Sequence, residues 1–223
     1  MVLKLHGFAV STCTLRVATV LKELNVPFEF VPVDITKGEQ KVPQHVKIQP
    51  FGQIPYIEDD DGFILYESRA ICRYIAAKYR SNVSGPALLP DLSTEMEKYA
   101  KFEQAASVEA WNFDFYASNA TLELIFKSIY GGGVTDEVRA KEYLESLEKN
   151  LDVYDKILSS HRYLAGDDIT LADIFHIPYA RHLHTRKYIN LEDANRPNLT
   201  RWWKDITSRP SWQSVQGGVT SFP

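Results

Sequence analysis

The sequence predicts a small α/β domain over residues 1–80 followed by an all-helical domain over 91–223, and three observations lead to this fold class. Early in the chain, short apolar runs with strand periodicity alternate with stretches in which apolar residues recur every three or four positions. Residues 81–90 combine serine, glycine and two prolines, which is typical of a linker. After them the periodicity is helical. We therefore expect two domains joined at 81–90.

Strand and helix signals alternate at the start of the first domain. Residues 2–6 place two leucines on one face of a strand, and after a glycine the apolar residues of 17–24 recur at helical spacing. Residues 28–33 are rich in β-branched and aromatic side chains, which indicates a second strand. Two strands joined through a helix form a βαβ unit with parallel strands. Residues 38–48 are a weaker, polar helix candidate.

A β-hairpin and a helix complete the first domain. Short apolar runs at 54–57 and 63–66 are separated by an acidic segment ending in Asp61-Gly62, a step that suits a tight turn between antiparallel strands. Apolar residues then recur at helical spacing over 70–78. The predicted element order of this domain is βαβαββα.

The second domain shows helical signals throughout. The clearest is an amphipathic stripe with spacings of three and four residues. The stripe consists of Leu144, Leu147, Leu151, Tyr154 and Leu158. Farther along, Thr170 and Asp173 have the spacing of a capping box, so we expect a helix to begin there.

The composition restricts the class of function. The chain has 223 residues, of which 44% are hydrophobic and 24% charged, as in ordinary globular proteins. Its 25 basic and 29 acidic residues give a net charge of −4, which argues against binding of nucleic acid or an anionic membrane. The sequence has no secretory signal pattern, no apolar run of transmembrane length and only two cysteines. We expect a cytoplasmic protein with small-molecule or protein partners, reduced thiols and no metal site.

Pro55 is the first residue that calls for a chemical explanation, because a proline that opens a strand cannot donate a ladder hydrogen bond. One interpretation is a trans proline at the start of an edge strand, since only about 5 to 6% of X-Pro bonds in folded proteins are cis. The other is a cis-proline that leaves the backbone of Ile54 able to pair with an extended peptide ligand. The local sequence leaves both open.

Two predicted helix starts have the residue types of a binding site. Glu67-Ser68 begins the helix after the hairpin, where unpaired N–H groups and the helix dipole favour a bound carboxylate. Ser11-Thr12-Cys13 precedes the first helix, where a hydroxyl or thiol can donate a hydrogen bond to a thiolate. Plain helix caps explain each of these segments when it is taken alone.

Taken together, these segments resemble the glutathione transferases, and within them the phi class. The similarity covers essentially the whole chain, and the order and spacing of its motifs are specific. The most specific segments are Ser11-Thr12-Cys13-Thr14, Lys37-Gly38-Glu39-Gln40-Lys41, Gln49-Pro50-Phe51-Gly52-Gln53-Ile54-Pro55 and residues 65–75. The resemblance implies the glutathione transferase fold, in which a thioredoxin-like α/β N-terminal domain is followed by an all-α C-terminal domain.

The resemblance also implies roles for individual residues. Ser11 takes the position of the catalytic hydroxyl, which hydrogen-bonds the glutathione sulfur and favours thiolate over thiol. The residues implied to bind glutathione are Gln40, Lys41, Gln53, Ile54, Pro55, Glu67 and Ser68. Of these, Glu67 and Ser68 would hold the γ-glutamyl end and Lys41 would face the glycine carboxylate. Gln40 stands where many members of the class carry histidine, and it can still donate to a carboxylate.

The second substrate implied by the resemblance is a hydrophobic electrophile, bound between the domains. Phe8 and aromatic residues of the first long helix, Trp111, Phe113 and Phe115, are candidates to line this site, and core packing explains those aromatics equally well. Family members are homodimers. Phe51 is therefore either an anchor of a subunit interface or a buried loop aromatic.

The implied activity is conjugation of glutathione, a cosubstrate rather than a bound cofactor, to hydrophobic electrophiles. Glutathione peroxidase activity is compatible with the same site. Two alternatives are a thioltransferase that depends on Cys13 and a non-catalytic carrier of hydrophobic ligands. Cys13 lies two positions beyond Ser11, so it is either a packing thiol of the first helix or a second reactive group. The presence of Ser11 with most of the binding pattern favours the transferase.

Overall fold

The computed structural model describes residues 2–82 and 84–223. Residue 1 of the predicted first domain and residue 83 of the predicted linker lie outside the described part. The chain forms two compact units, one of Met1–Leu88 together with Ser208–Pro223 and one of Leu89–Thr207.

The first unit is built on a four-stranded mixed sheet. Its strands are β1 (Leu3–Gly7), β2 (Phe28–Pro32), β3 (Tyr56–Glu58) and β4 (Ile64–Tyr66), in the order β2-β1-β3-β4. β1 pairs parallel with β2, while the β1-β3 and β3-β4 pairs are antiparallel. These pairings confirm the predicted βαβ unit and β-hairpin.

The helices that alternate with and follow these strands are α1 (Thr12–Glu23), α2 (Pro43–Ile48) and α3 (Ser68–Lys78). The single helix predicted over 38–48 is wrong in its first half, where a 3-10 turn occupies Glu39–Lys41 after another at Ile35–Lys37. Gly38 separates the two turns with φ +73°, a left-handed conformation that ends a helical run. The α-helix begins only at Pro43, whose fixed φ and missing N–H suit a first helical position.

A buried carboxylate fastens the hairpin to α3. Asp59, at the end of β3, accepts hydrogen bonds from the Tyr74 hydroxyl and from Nζ of Lys78, the latter at 2.8 Å. Burial by itself raises the pKa of Asp59, but the hydrogen bonds from Lys78 and Tyr74 outweigh it and hold this pKa below its usual value. The loop between the strands is therefore tied to the helix that follows it.

The second unit is helical, as predicted. Its helices are α4 (Met96–Val108), α5 (Phe115–Thr121), α6 (Lys127–Tyr130), α7 (Glu137–Ser160), α8 (Leu171–Thr185) and α9 (Pro197–Thr207). Two π-helical segments, Glu109–Asp114 and Leu122–Phe126, connect α4 to α5 and α5 to α6. Across residues 2–82 and 84–223, no helix is both long and apolar enough to cross a membrane.

The longest helices of the second unit begin with occupied caps. The Asp136 carboxylate accepts from the backbone N–H of Arg139 at 3.0 Å at the start of α7. The predicted capping box at the start of α8 is confirmed. There the buried Asp173 carboxylate accepts from the backbone N–H groups of Thr170 at 2.9 Å and Leu164 at 3.0 Å.

The C-terminal segment returns to the first unit. We expected the helical domain to extend to residue 223, but residues 208–223, which include the short α10 (Pro210–Gln213), pack with the first unit. Arg209 Nε donates to Glu23 of α1 at 3.0 Å. The backbones of Phe28 and Phe222 exchange two hydrogen bonds of 2.8 Å, which lengthens the edge of the sheet at β2. Contacts between residues so far apart in sequence leave no local periodicity from which to predict them.

Candidate active site

Ser11 is the N-cap residue of α1. Its backbone is extended, with φ −67° and ψ 134°, and its carbonyl accepts the first helical hydrogen bond from Leu15 at 2.8 Å. The side chain is half-buried and, within the described part of the chain, makes no capping hydrogen bond. A serine cap normally accepts from a backbone N–H of the first turn. Here the hydroxyl is left for another partner at the positive end of a helix.

The two cysteines of the chain are both free thiols with different environments. Cys13 is half-buried in the first turn of α1, and its Sγ lies 3.6 Å from Nη1 of Arg16. Cys72 is fully buried in α3, and burial raises its pKa to about 12, so it stays protonated at neutral pH. Of the two thiols, Cys13 is therefore the one that a ligand could reach.

The start of α3 has an unusual backbone. Glu67, between β4 and α3, has φ +72° and ψ 107°, a conformation that costs energy for a residue other than glycine and clusters at functional sites. Its side chain makes no capping hydrogen bond among the described residues. Ser68 follows as the first helical residue and is largely buried. The first N–H groups of the helix therefore have no side-chain cap, which suits a carboxylate ligand.

The segment before β3 contains the one cis peptide bond found in the described residues, between Ile54 and Pro55. The cis alternative for Pro55 is thus confirmed. The neighbouring Gln53 is held at both backbone groups, since its N–H donates to Oε1 of Gln49 at 3.0 Å and its carbonyl accepts from Nε2 of His45 at 2.7 Å. His45 and Gln49 are both buried. Hydrogen bonds within the protein therefore fix the backbone of this segment.

Lys41 and Gln40 lie beside the same segment. Lys41 Nζ donates to the carbonyl of Phe51 at 3.1 Å. Gly52 has φ +60°, and a Cβ there would approach Cδ of Lys41 to 2.8 Å and the Gln40 carbonyl to 3.0 Å. Oε1 of Gln40 is buried and has no hydrogen-bond partner among the described residues. The residues predicted to bind the glycine end of glutathione, Lys41 and Gln40, are therefore adjacent to Gln53.

The sheet topology brings these segments to one edge. His6, Tyr56 and Tyr66 form a row across three strands. Because both strand pairs are antiparallel, β1 and β4 leave the sheet at the edge where β3 enters it. The chain runs from this row to Ser11, Pro55 and Glu67. Local sequence spacing does not reveal this arrangement.

The aromatic residues proposed for the electrophile have different environments. Phe8 is half-buried in the first unit. In the second unit, Trp111 and Phe115 are 72% and 44% exposed, so they are available to a ligand. Phe113 is buried against Tyr154 and His176, so the core-packing interpretation holds for that residue. Phe51, at 67% exposure, is not a buried loop aromatic in this chain.

Comparison with known proteins identifies the family. The model of the glutathione S-transferase N-terminal domain matches residues 1–77, and that of the C-terminal domain matches 115–210. The glutathione S-transferase PM239X14 of Arabidopsis thaliana is 45% identical over 201 residues, which cover 90% of this chain and 89% of that protein. The chain belongs to the glutathione S-transferase family. The enzyme class and the fold predicted from the sequence are confirmed.

Solved structures of the family agree with the predicted phi class. Glutathione transferase F7 of Populus trichocarpa has a TM-score of 0.86 and 38% identity, covering 97% of this chain and 98% of its own. Glutathione S-transferase I of maize, solved with an atrazine glutathione conjugate, has a TM-score of 0.84 and 34% identity over 97% of both chains. The chain is a phi-class transferase.

Three site residues of this transferase have no counterpart in the sequence-based prediction. His45 and Gln49 hydrogen-bond the backbone of Gln53, and Arg16 contacts both Cys13 and Ser68. All three are buried polar side chains on helices or directly after one. The signal available in the sequence was a single arginine between apolar positions of α1, which by itself points to no partner.

Proposed function

We propose that this transferase conjugates the thiolate of glutathione to hydrophobic electrophiles, and that the Ser11 hydroxyl stabilises the thiolate. The observation that supports this role is the helix cap whose side chain makes no capping hydrogen bond. A hydroxyl has one proton to give, and at the start of α1 the helix dipole adds to its attraction for an anion.

The free energy required from Ser11 is modest. A free thiol titrates near about 8.5, so about 1.4 kcal/mol of preferential thiolate binding lowers its pKa by about one unit. A hydrogen bond to a charged group contributes about 1.5 to 3 kcal/mol. One hydroxyl thus accounts for about one to two pKa units, which makes the thiolate a major species at neutral pH. The thiolate then bonds to the electrophilic carbon, and in a substitution the leaving group departs with its electron pair.

The remaining site residues orient the peptide. In our proposal Glu67 and Ser68 bind the γ-glutamyl end, and the backbone of Ile54, before Pro55, pairs with the cysteinyl residue. Gln53, Lys41 and Gln40 bind the glycine end. The maize enzyme with an atrazine glutathione conjugate supports a glutathione site in this fold. Binding both reactants in one orientation raises the rate by proximity.

Other parts of the proposal concern the second substrate and the assembly. Phe8, Trp111 and Phe115 contact the electrophile. As a side activity, a hydroperoxide is reduced to the alcohol and water while two molecules of glutathione are oxidised to the disulfide. Glutathione is a cosubstrate and the enzyme carries no bound cofactor. The protein works in the cytoplasm as a homodimer.

The test is steady-state conjugation of a chlorodinitrobenzene electrophile by wild type, Ser11→Ala and Cys13→Ser. We expect Ser11→Ala to lower kcat/KM about 10- to 100-fold, and Cys13→Ser to retain wild-type activity within about twofold. The opposite pattern would support a thioltransferase that uses Cys13. A wild type that binds glutathione without conjugating it would support the carrier.

A further inference from the structure

Arg16 is a buried permanent cation in the first unit. It lies in the second turn of α1 and none of its surface is exposed. A guanidinium keeps its proton in proteins, so its charge is present at every physiological pH. Burying a charge costs several kcal/mol unless hydrogen bonds compensate for it. Because Arg16 is buried next to residues of the candidate site, we expect it to have a functional role.

One nitrogen of Arg16 contacts two segments of the site. Nη1 donates to Oγ of Ser68 at 3.0 Å and lies 3.6 Å from Sγ of Cys13. This nitrogen carries two hydrogens, one for each partner. The start of α3 is thereby tied to the first turn of α1, two residues from Ser11.

The contact with Arg16 determines what Ser68 can do. A guanidinium only donates, so the Ser68 oxygen uses a lone pair to accept from it. The single hydroxyl proton of Ser68 is then left to donate to a different group. A carboxylate can only accept. Arg16 therefore turns Ser68 into a donor for an anionic ligand, and its charge polarises that hydroxyl in a low-dielectric site.

We propose that Arg16 is a positioning residue for the γ-glutamyl carboxylate of glutathione, and that it acts through the hydroxyl of Ser68. This inference rests on the proposed glutathione site. Arg16 touches neither the peptide nor the thiol in this account. Its effect is confined to the one ligand group that Ser68 binds.

The test measures binding rather than turnover. Isothermal titration calorimetry compares glutathione with an analogue in which 4-aminobutyrate replaces the γ-glutamyl residue, so that only its carboxylate is missing. We expect Arg16→Met to raise the Kd of glutathione about tenfold or more, and to change the Kd of the analogue less than about twofold. Arg16→Lys keeps a charge and a donor, so we expect it to raise the Kd of glutathione about threefold and to leave the Kd of the analogue unchanged.

Two further variants separate this role from a structural one. Ser68→Ala should show the same selective loss, and adding Arg16→Met to it should cost less than about twofold more. Thr19→Val alters another buried polar residue of α1, bonded to the Leu15 carbonyl, and should leave both Kd values within about twofold.

If the Arg16 variants weaken the binding of both peptides equally, the proposal is overturned in favour of a structural role. If they do not weaken the binding of glutathione, the proposal is also overturned. If Arg16→Met does not fold, Arg16→Lys and Ser68→Ala still decide the matter, since each must discriminate between the peptides. Failure of conjugation would refute the proposed activity but leave this binding test intact.

Discussion

The helix starts of the two units differ in what their cap residues do. In the second unit, the Asp136 side chain accepts from the first turn of α7, and Thr170 forms a capping box at the start of α8. In the first unit, neither Ser11 at α1 nor Glu67 at α3 makes a side-chain cap among the described residues. Residues of similar type thus cap helices in the second unit, whereas in the first unit their side chains make no cap and belong to the proposed glutathione site.

A cap side chain that makes no local hydrogen bond is the feature that can mark a binding site at a helix start. A capping serine or acid is common, so its presence indicates little. A cap position whose side chain is not used locally leaves the N–H groups and the dipole of the helix to another anion. Two such starts at one edge of a sheet are what our proposal assigns to the thiolate and the γ-glutamyl carboxylate of glutathione.

The largest expected effect concerns the occupied cap of α8. Asp173→Ala removes the buried acceptor of the Thr170 and Leu164 N–H groups and of Trp202 Nε1 at 2.9 Å. We expect the free energy of unfolding to fall by about 3 to 5 kcal/mol, since buried donors are left unsatisfied. Urea unfolding followed by tryptophan fluorescence measures it. Asp168→Ala, at an exposed neighbouring carboxylate, should cost less than about 0.5 kcal/mol, and equal costs would show that the Asp173 carboxylate does not stabilise the start of α8.

The first unit has its own stabilising carboxylate, away from the helix starts. Asp59→Asn is expected to cost about 1.5 to 3 kcal/mol at pH 7, because Lys78 loses a charged acceptor. The folded pKa of Asp59 lies below its unfolded value of about 3.9, so its contribution is present above about pH 4 and is lost as the pH falls through the folded pKa. Melting temperatures from about pH 5 to 2 should fall less in the variant than in wild type. Asp60→Asn, with its half-exposed side chain, is the control.

A moderate effect is expected at the start of α7. Asp136→Ala removes the acceptor of the Arg139 N–H and should cost about 1 kcal/mol, as for other helix caps. Glu137→Gln, in the same turn, should cost only a few tenths through the dipole. Urea midpoints distinguish the two. A cost for Asp136→Ala as small as that of Glu137→Gln would mean that this cap is not occupied in solution.

The smallest expected effect on stability is at Ser11. Because its hydroxyl makes no cap, Ser11→Ala should change the free energy of unfolding by less than about 0.5 kcal/mol, while the same variant loses conjugation. Urea unfolding of wild type and variant checks this. A loss of about 1 kcal/mol or more would show that Ser11 is an ordinary structural cap.

Sequence patterns predicted what local periodicity encodes. The strands and the hairpin followed from alternation and the Asp61-Gly62 step, and the cap of α8 from the spacing of Thr170 and Asp173. The return of residues 208–223 to the first unit did not follow, since it depends on contacts across most of the chain. The hydrogen bond from Arg16 to Ser68, 52 residues apart in the sequence, is likewise not encoded in local periodicity.

Part of the candidate site could also be predicted from sequence patterns. Motif order indicated Ser11, Ile54, Pro55, Glu67 and Ser68. The shared sheet edge required the register of three strands, and the choice between cis and trans at Pro55 required the backbone. Whether the Ser11 hydroxyl caps the helix depends on the rotamer of that one side chain. A sequence carries that information only through all its tertiary neighbours.

In our proposal, Ser11 stabilises the thiolate of bound glutathione. The most direct measurement is a pH titration of that thiol by ultraviolet difference absorbance, with wild type and Ser11→Ala each saturated with glutathione. We expect the pKa of the bound thiol to lie about one to two units below its free value in wild type and to return toward about 8.5 in the variant. A bound thiol with the same pKa in both proteins would show that Ser11 does not stabilise the thiolate.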